Sequence, residues 1–267
     1  MAELNALEIQ GICKKFGETV ILNNVQATIK PGLVTAFVGP NGAGKTTLFH
    51  IITGNLSADG GKVLLNNRDI TNMPPFVVAD MGITKLFQDL RIFADMTVLE
   101  NVLVALMDRH ERKPAWAFDH LFKLKSFLTD HRKEALGFLE LVGIAEHKDK
   151  MAGNLSYGQQ KLLAMARIIA RHPRYILLDE PTAGLSPVMV NQMVELVSKM
   201  VKEMGISVGL IEHNMKVVQK LADYVYFLHE GKVFCHGDAK TVFSNAEVKR
   251  IYIGLSKGEI TSTKGKE

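Results

Sequence analysis

Residues Gly39-Pro40-Asn41-Gly42-Ala43-Gly44-Lys45-Thr46 follow the phosphate-cradling spacing G-x-x-x-x-G-K-[ST], and the flanking residues supply the setting that spacing requires. Before the loop, Leu33–Val38 is an apolar, β-branched run with the length of a buried strand. After it, Thr47 leads into Leu48, Ile51 and Ile52 at i, i+3 and i+4, and Gly54 ends the helical pattern. Strand, glycine loop and helix in this order imply an α/β fold of the P-loop type. The glycines let successive backbone N–H groups curl around phosphate oxygens, and the helix N-terminus adds partial positive charge. Lys45 is then placed for β- and γ-phosphates, and the Thr46 hydroxyl for Mg²⁺. Residues 39–47 are thus candidate nucleotide ligands. The plain alternative is an ordinary glycine turn, and the flanking context weighs against it.

A second phosphate-site element lies far downstream. Tyr175-Ile176-Leu177-Leu178 reads as a buried strand, and Asp179 and Glu180 emerge together at its C-terminal end, where parallel sheets place ligands. Asp179 suits Mg²⁺, directly or through water. Glu180 suits the attacking water as a general base. Alone such an acidic pair is weak; after a P-loop it is strong.

Composition narrows the partners. In a chain of 267 residues, a formal net charge of +4 with no block of basic residues does not point to nucleic acid. Cys13 and Cys235 lie far apart and form no C-x-x-C pair, so they read as small buried side chains rather than a staple or metal site. Met1–Ala6 has neither a basic nor an apolar stretch of the kind a secretory signal carries. No apolar run reaches the roughly eighteen residues that a membrane span requires. The expectation is a cytosolic chain.

Turn clusters at Pro31-Gly32 and Asp59-Gly60-Gly61 punctuate short strands at Leu7–Gln10 and Lys62–Leu65. From Thr97 the pattern turns helical. Thr97 and Glu100 form a capping box ahead of Leu99, Val102, Leu103 and Leu106, and Ala135, Phe138, Leu139 and Val142 share a later helical face that ends at Gly143. After Pro173 the β/α alternation returns, with a helix through Val190–Met200 and a strand over Ile206–Ile211. The expected organisation is a nucleotide-binding core over 1–88 and 166–253, a helical insertion over 89–165, and a fraying tail over 254–267.

Leu155-Ser156-Tyr157-Gly158-Gln159-Gln160 is the decisive stretch. Ser156 and Gln159 form an S-x-x-Q capping box for a helix with Leu162, Leu163, Ala166, Ile169 and Ala170 on its apolar face. With the P-loop and the Asp179–Glu180 pair, the stretch resembles the L-S-G-G-Q signature of ATP-binding subunits of ABC transporters. The resemblance implies a P-loop (RecA-like) core with an N-terminal antiparallel β subdomain and an inserted α-helical signature subdomain. It implies ATP as substrate, Mg²⁺ as cofactor, and a dimer in which Ser156, Gly158 and Gln159 face the γ-phosphate held by the opposite subunit. By the same resemblance Phe16 stacks on adenine, Gln88 touches Mg²⁺ and the water, and His213 is the switch that contacts the γ-phosphate. Tyr157 stands where the family has its first glycine, and Ser186 where many members have aspartate.

Phe87-Gln88, Met96–Val102, the Tyr157 variant, Ile211–Met215 and Ile251–Gly254 are similar to the branched-chain amino acid importer branch. Lipopolysaccharide-export ATPases carry similar phrases, and an iron–sulfur assembly ATPase is the non-transport rival. The importer reading implies hydrolysis coupled to separate transmembrane permease subunits at the cytoplasmic face of the membrane, with a solute-binding protein acting on the permease. Between Asn101 and His131, Trp116, Phe118, Phe122 and Phe127 stand among basic residues. That segment either lies near headgroups or the membrane partner, or packs the helical insertion.

Overall fold

The computed structural model describes residues 6–86, 90–107 and 124–253. The chain opens with β1 (Leu7–Phe16), β2 (Thr19–Ile29), β3 (Val34–Val38), α1 (Lys45–Ile52), β4 (Gly60–Leu65) and β5 (Arg68–Asp69). Next come α2 (Pro75–Asp80), β6 (Ile83–Leu86), α3 (Val98–Leu106), α4 (Leu124–Val142), α5 (Tyr157–Ile169), β7 (Tyr175–Asp179) and α6 (Pro187–Lys202). It closes with β8 (Ser207–Ile211), α7 (Met215–Leu221), β9 (Tyr224–His229), β10 (Lys232–Gly237), α8 (Ala239–Ser244) and α9 (Ala246–Ile253). Two compact units result: Met1–Pro75 with Ser207–Glu267, and Phe76–Ile206.

In the first unit β1 pairs antiparallel with β2 and β4, starting at Leu7↔Ile29 and Leu7↔Leu65, and β5 follows β4. This is the expected N-terminal antiparallel subdomain. The central strand β3 is buried at every residue, as its unbroken apolar run requires, and lies parallel to β8 and β9, with β10 antiparallel at the edge. Phe37 on β3 meets Phe49 of α1 edge-on at 5.6 Å and stacks on Tyr226 of β9 at 5.5 Å. The Tyr226 hydroxyl accepts the Thr28 N–H at 3.0 Å, which ties β9 to the antiparallel layer. The polar tip of a buried tyrosine thereby finds its partner. Cys13 and Cys235 are free and half-buried, less enclosed than their composition-based reading has them.

In the second unit β6 and β7 pair in parallel from Ile83↔Tyr175 to Leu86↔Leu178. The helices follow their capping signals. Thr97 Oγ1 accepts the Glu100 N–H and the Glu100 carboxylate accepts the Thr97 N–H, so both halves of the box are present. Leu99, Val102 and Leu106 are buried while Leu103 is only half so. Ala135, Phe138, Leu139 and Val142 are buried on α4, and Gly143 ends it. The helix α5 continues through residue 165, the position at which the insertion is expected to give way to the core.

Fully buried Asn101 organises the approach to α3. Its Oδ1 accepts the Phe93 N–H at 2.9 Å, and its Nδ2 donates to Phe93 O at 2.9 Å and Thr97 O at 3.0 Å. Replacing it by leucine takes the side-chain acceptor from the Phe93 N–H, while Phe93 O and Thr97 O keep the N–H groups of Met96 and Asn101, and a lost part-buried hydrogen bond of this kind costs about 1 kcal/mol. The Asn101→Leu chain is expected to unfold at lower denaturant with an unchanged m value; an unshifted midpoint contradicts this account of the segment.

Candidate nucleotide-binding site

The phosphate loop belongs wholly to the first unit. It leaves β3 at Gly39, whose φ of 149° lies outside the comfortable range of other residues, and a Cβ there would sit 2.0 Å from Leu228 O. At the far end Gly44, with φ 94°, is the N-cap of α1, and a Cβ would fall 2.5 Å from Leu22 Cδ2. Only glycine lets the loop pass so close to β9 and β2. No side chain caps α1, so its N-terminal turn is the anion-favouring end of a helix dipole. Ala43, Gly44 and Lys45 are buried, Asn41, Gly42 and Thr46 are exposed, and Pro40 and Thr47 lie between. The Lys45 ammonium donates to Gly39 O and Pro40 O, both at 2.8 Å. That geometry stretches the side chain back across the mouth of the loop, where a bound phosphate would meet it.

Two other expected ligands lie in the same unit. Phe16 ends β1 and is 53% exposed, with Lys14 Nζ 5.6 Å from its ring centroid. Asp59 accepts from Lys14 Nζ and from the Lys15 N–H, each at 2.7 Å, and these bonds hold its carboxyl below the ordinary carboxylate range. His213 sits between β8 and α7, half-buried. The buried Glu212 carboxylate accepts the N–H groups of His213 and Asn214 at 3.0 and 3.1 Å, and Asn214 caps α7.

The second unit carries the carboxylates and the signature turn. Every residue of β7 is buried, and Asp179 closes it at 2% exposure. Lys85 on the neighbouring β6 reaches Asp179 Oδ2 at 2.9 Å, and both side chains are almost wholly enclosed. A buried carboxylate without such a partner would be strongly disfavoured. Glu180 follows, half-buried, with φ at +53°. A non-glycine residue held there is strained and persists only where its surroundings over-determine it. Ser156 caps α5. Its Oγ accepts the Gln159 N–H at 3.4 Å, and Gln159 Oε1 accepts the Ser156 N–H at 3.0 Å. Gly158 is buried where a Cβ would meet Met189 Sδ at 2.2 Å. Tyr157 is 49% exposed. Ser186, where the resemblance leads one to expect aspartate, caps α6 by accepting the Met189 N–H, with Pro187 in the first turn.

The first unit thus brings together Gly39–Thr47, and the second places Asp179 and Glu180 at one strand end and Ser156, Gly158 and Gln159 at one helix start. Gln88 lies outside the described residues, as do Trp116, Phe118 and Phe122 and the side chain of Phe127. Reasoning from residue patterns missed Lys85, Lys161 and Glu212. Each is a charged residue inside or beside an otherwise apolar run, and that is the signal that marks them.

A phosphate loop after a buried strand, with strand-end carboxylates and a capped signature turn, defines a P-loop nucleotide-binding α/β protein. A family model described as ABC transporter matches residues 22–183, and the chain belongs to that family as an ATP-hydrolysing subunit. It is 35% identical over 251 residues to the high-affinity branched-chain amino acid transport ATP-binding protein LivG of Escherichia coli (strain K12), covering 93% of this chain and 97% of that protein. Among solved structures, the ADP conformation of MJ1267, an ATP-binding cassette of an ABC transporter, is 33% identical with a TM-score of 0.80, over 94% of this chain and 99% of that one. A dimeric post-hydrolysis state of the cassette MJ0796 bound to ADP and Pi is 26% identical with a TM-score of 0.73, over 87% of this chain and 98% of that one. Among the described residues no helix is long and apolar enough to cross a membrane.

Proposed function

We propose that this chain drives a branched-chain amino acid importer, hydrolysing ATP beneath separate transmembrane permease subunits at the cytoplasmic face of the cell membrane. One observation carries the reading: the likeness to LivG runs over nearly the full length of both chains, well beyond the phosphate-handling motifs. In this reading Phe16 stacks on adenine, and Gly39, Pro40, Asn41, Gly42, Ala43, Gly44, Lys45, Thr46 and Thr47 hold the phosphates. Asp179 and Gln88 act on the metal, Glu180 takes the proton from the attacking water, and His213 contacts the γ-phosphate. Ser156, Gly158 and Gln159 serve the nucleotide of a second ATP-binding subunit, a copy of this chain or a sister chain. A solute-binding protein delivers the amino acid to the permease.

Thr46, Gln88 and Asp179 would hold Mg²⁺, which would supply positive charge against the phosphates during hydrolysis. The donor set fits. Among the described residues no group of three or more His, Cys, Asp and Glu forms a metal cage, and Mg²⁺ ordinarily takes one or two protein oxygens together with phosphates and water.

The surface around Gln88–Asp95 is the docking place we assign to a permease helix. The second unit holds a cleft of about 290 Å³, apolar at Leu86, Leu90, Phe93, Val104 and Ile168. Arg167 crosses the cleft with its guanidinium 4.8 Å from the Phe93 ring centroid, and its Nε has no hydrogen-bond partner among the described residues. Phe93 is 43% exposed. Changing Leu90 and Phe93 together to glutamate is expected to abolish recovery of the assembled complex while ATP binding stays intact. Intact complex from the double variant removes this surface from consideration.

The transport reading is tested in liposomes carrying the chain with its co-purified membrane subunits. ATP-dependent uptake of labelled leucine, isoleucine or valine is expected. ATP-dependent movement of another solute class alone would overturn the substrate assignment and leave the ATPase assignment standing.

A further inference from the structure

We propose that Lys161 is a positioning residue that fastens the backbone of Glu180 to the first turns of α5, so that the signature turn and the proton-accepting residue move as one piece. The inference rests on the reading of Glu180 given above.

Lys161 sits on α5 five residues after the cap Ser156, beside Leu162 and Leu163, and is only 3% exposed. An ammonium so enclosed is costly unless its donors are used, and an apolar residue would fill the same space without that cost. Its Nζ donates to Glu180 O at 3.0 Å and to Ala183 O at 2.8 Å. These two carbonyls bracket the turn in which the Ala183 N–H also reaches Glu180 O, at 3.2 Å. Lys161 therefore grips both ends of the turn that begins with a strained residue. The left-handed backbone of Glu180, at φ +53°, is the kind of conformation that persists only under such outside constraint.

The grip is backed by packing. The Tyr157 ring lies 5.4 Å from Lys161 Nζ and covers it. Tyr157 also comes within 3.2 Å of where a Cβ on Gly184 would be, and Met189 fills the space at Gly158. Two departures from the family pattern thereby acquire a role: Tyr157 and Ser186 frame the loop that Lys161 holds. A shift of the signature turn, which in the functional reading faces the nucleotide of the opposite subunit, is transmitted through Lys161 to the position of Glu180.

The test compares Lys161→Met, which keeps length and packing but has no donors, with Lys161→Arg, which keeps charge and donors. MgATP turnover is measured on the full chain with its co-purified membrane subunits, alongside thermal unfolding and MgATP-dependent association of the chain. Misplacing a catalytic group by about 1 Å costs on the order of 10²-fold, so kcat of Lys161→Met is expected to fall by about that factor. KM is expected to stay within about twofold, the split that marks an interaction used in the reaction step rather than in substrate binding. Lys161→Arg is expected to recover most of the rate, and Lys161→Met placed in a Glu180→Gln background is expected to associate on MgATP as Glu180→Gln alone does. If the methionine variant does not fold, Lys161→Gln, with a neutral donor, carries the same comparison. Wild-type kcat in Lys161→Met, no recovery with arginine, or a loss confined to KM and association overturns the inference. Full turnover in Glu180→Gln removes the reading of Glu180 and this inference with it. A dead Glu180→Gln beside a fully active Lys161→Met removes the inference alone.

Discussion

Lys45→Ala is expected to leave a folded chain that no longer hydrolyses MgATP. The Lys45 side chain is 6% exposed and its ammonium spans Gly39 O and Pro40 O at 2.8 Å each. It thus stands over the opening of the phosphate loop before any nucleotide arrives. Phosphoryl transfer depends mainly on charge held in place, and loss of one preorganised donor typically costs about 10²–10³ in rate. Alanine also removes the ammonium that ties Gly39 O to Pro40 O, so nucleotide affinity is expected to fall together with turnover. Phosphate release and nucleotide titration on the same preparation check both effects, and an unchanged thermal unfolding profile shows that the fold is intact. Turnover within a few-fold of wild type would sink the assignment of residues 39–46 as the phosphate site. If the isolated chain is slow, the comparison is made with its membrane partner present.

Local signals in this chain were legible because local chemistry decides them. Both capping boxes, at Thr97–Glu100 and Ser156–Gln159, form as their spacing requires, because a hydroxyl and a side chain three residues on can reach the backbone N–H groups without help from tertiary structure. The strand–loop–helix at 33–54 follows for the same reason. Pairings across distant segments were not legible. Nothing in Ile83-Thr84-Lys85-Leu86 says that Lys85 will face Asp179, ninety-four positions away, because strand neighbours are chosen by topology and not by adjacent residues. Lys161 is similar. Its helix reads as amphipathic with one misplaced charge, and only the fold shows that the charge closes on the turn after Glu180. The burial expected for Cys13 and Cys235 rested on composition alone, and both are only half-buried.

Glu180→Gln is expected to stall the enzyme as an ATP-bound closed dimer. Glutamine keeps the size of the side chain and an acceptor oxygen at the end of β7, but it does not take a proton from the attacking water. General-base contributions are typically about 10²–10⁴, so turnover is expected to fall by at least that order. The substitution leaves the surrounding architecture alone. Lys161 grips the backbone carbonyls of residues 180 and 183 rather than the Glu180 side chain, and the ion pair of Lys85 with Asp179 is formed by other groups. In the proposed reading nucleotide binding is expected to persist through Lys45, Thr46 and Asp179, with each unhydrolysed ATP expected to act as an adhesive between one phosphate loop and the Ser156–Gly158 turn of the other subunit. Light scattering on a size-exclusion column, with and without MgATP, is expected to show dimer accumulating only when nucleotide is present. Adding Ser156→Arg is expected to return it to monomer, because the bulky cation would occupy the turn to which the proposed reading gives the γ-phosphate. That second change also removes the cap of α5, which is worth about 1 kcal/mol, so its thermal unfolding is measured first. A Glu180→Gln chain that stays monomeric in saturating MgATP contradicts a homodimeric sandwich. Association that appears only when a sister subunit is added assigns the second signature turn to that sister chain.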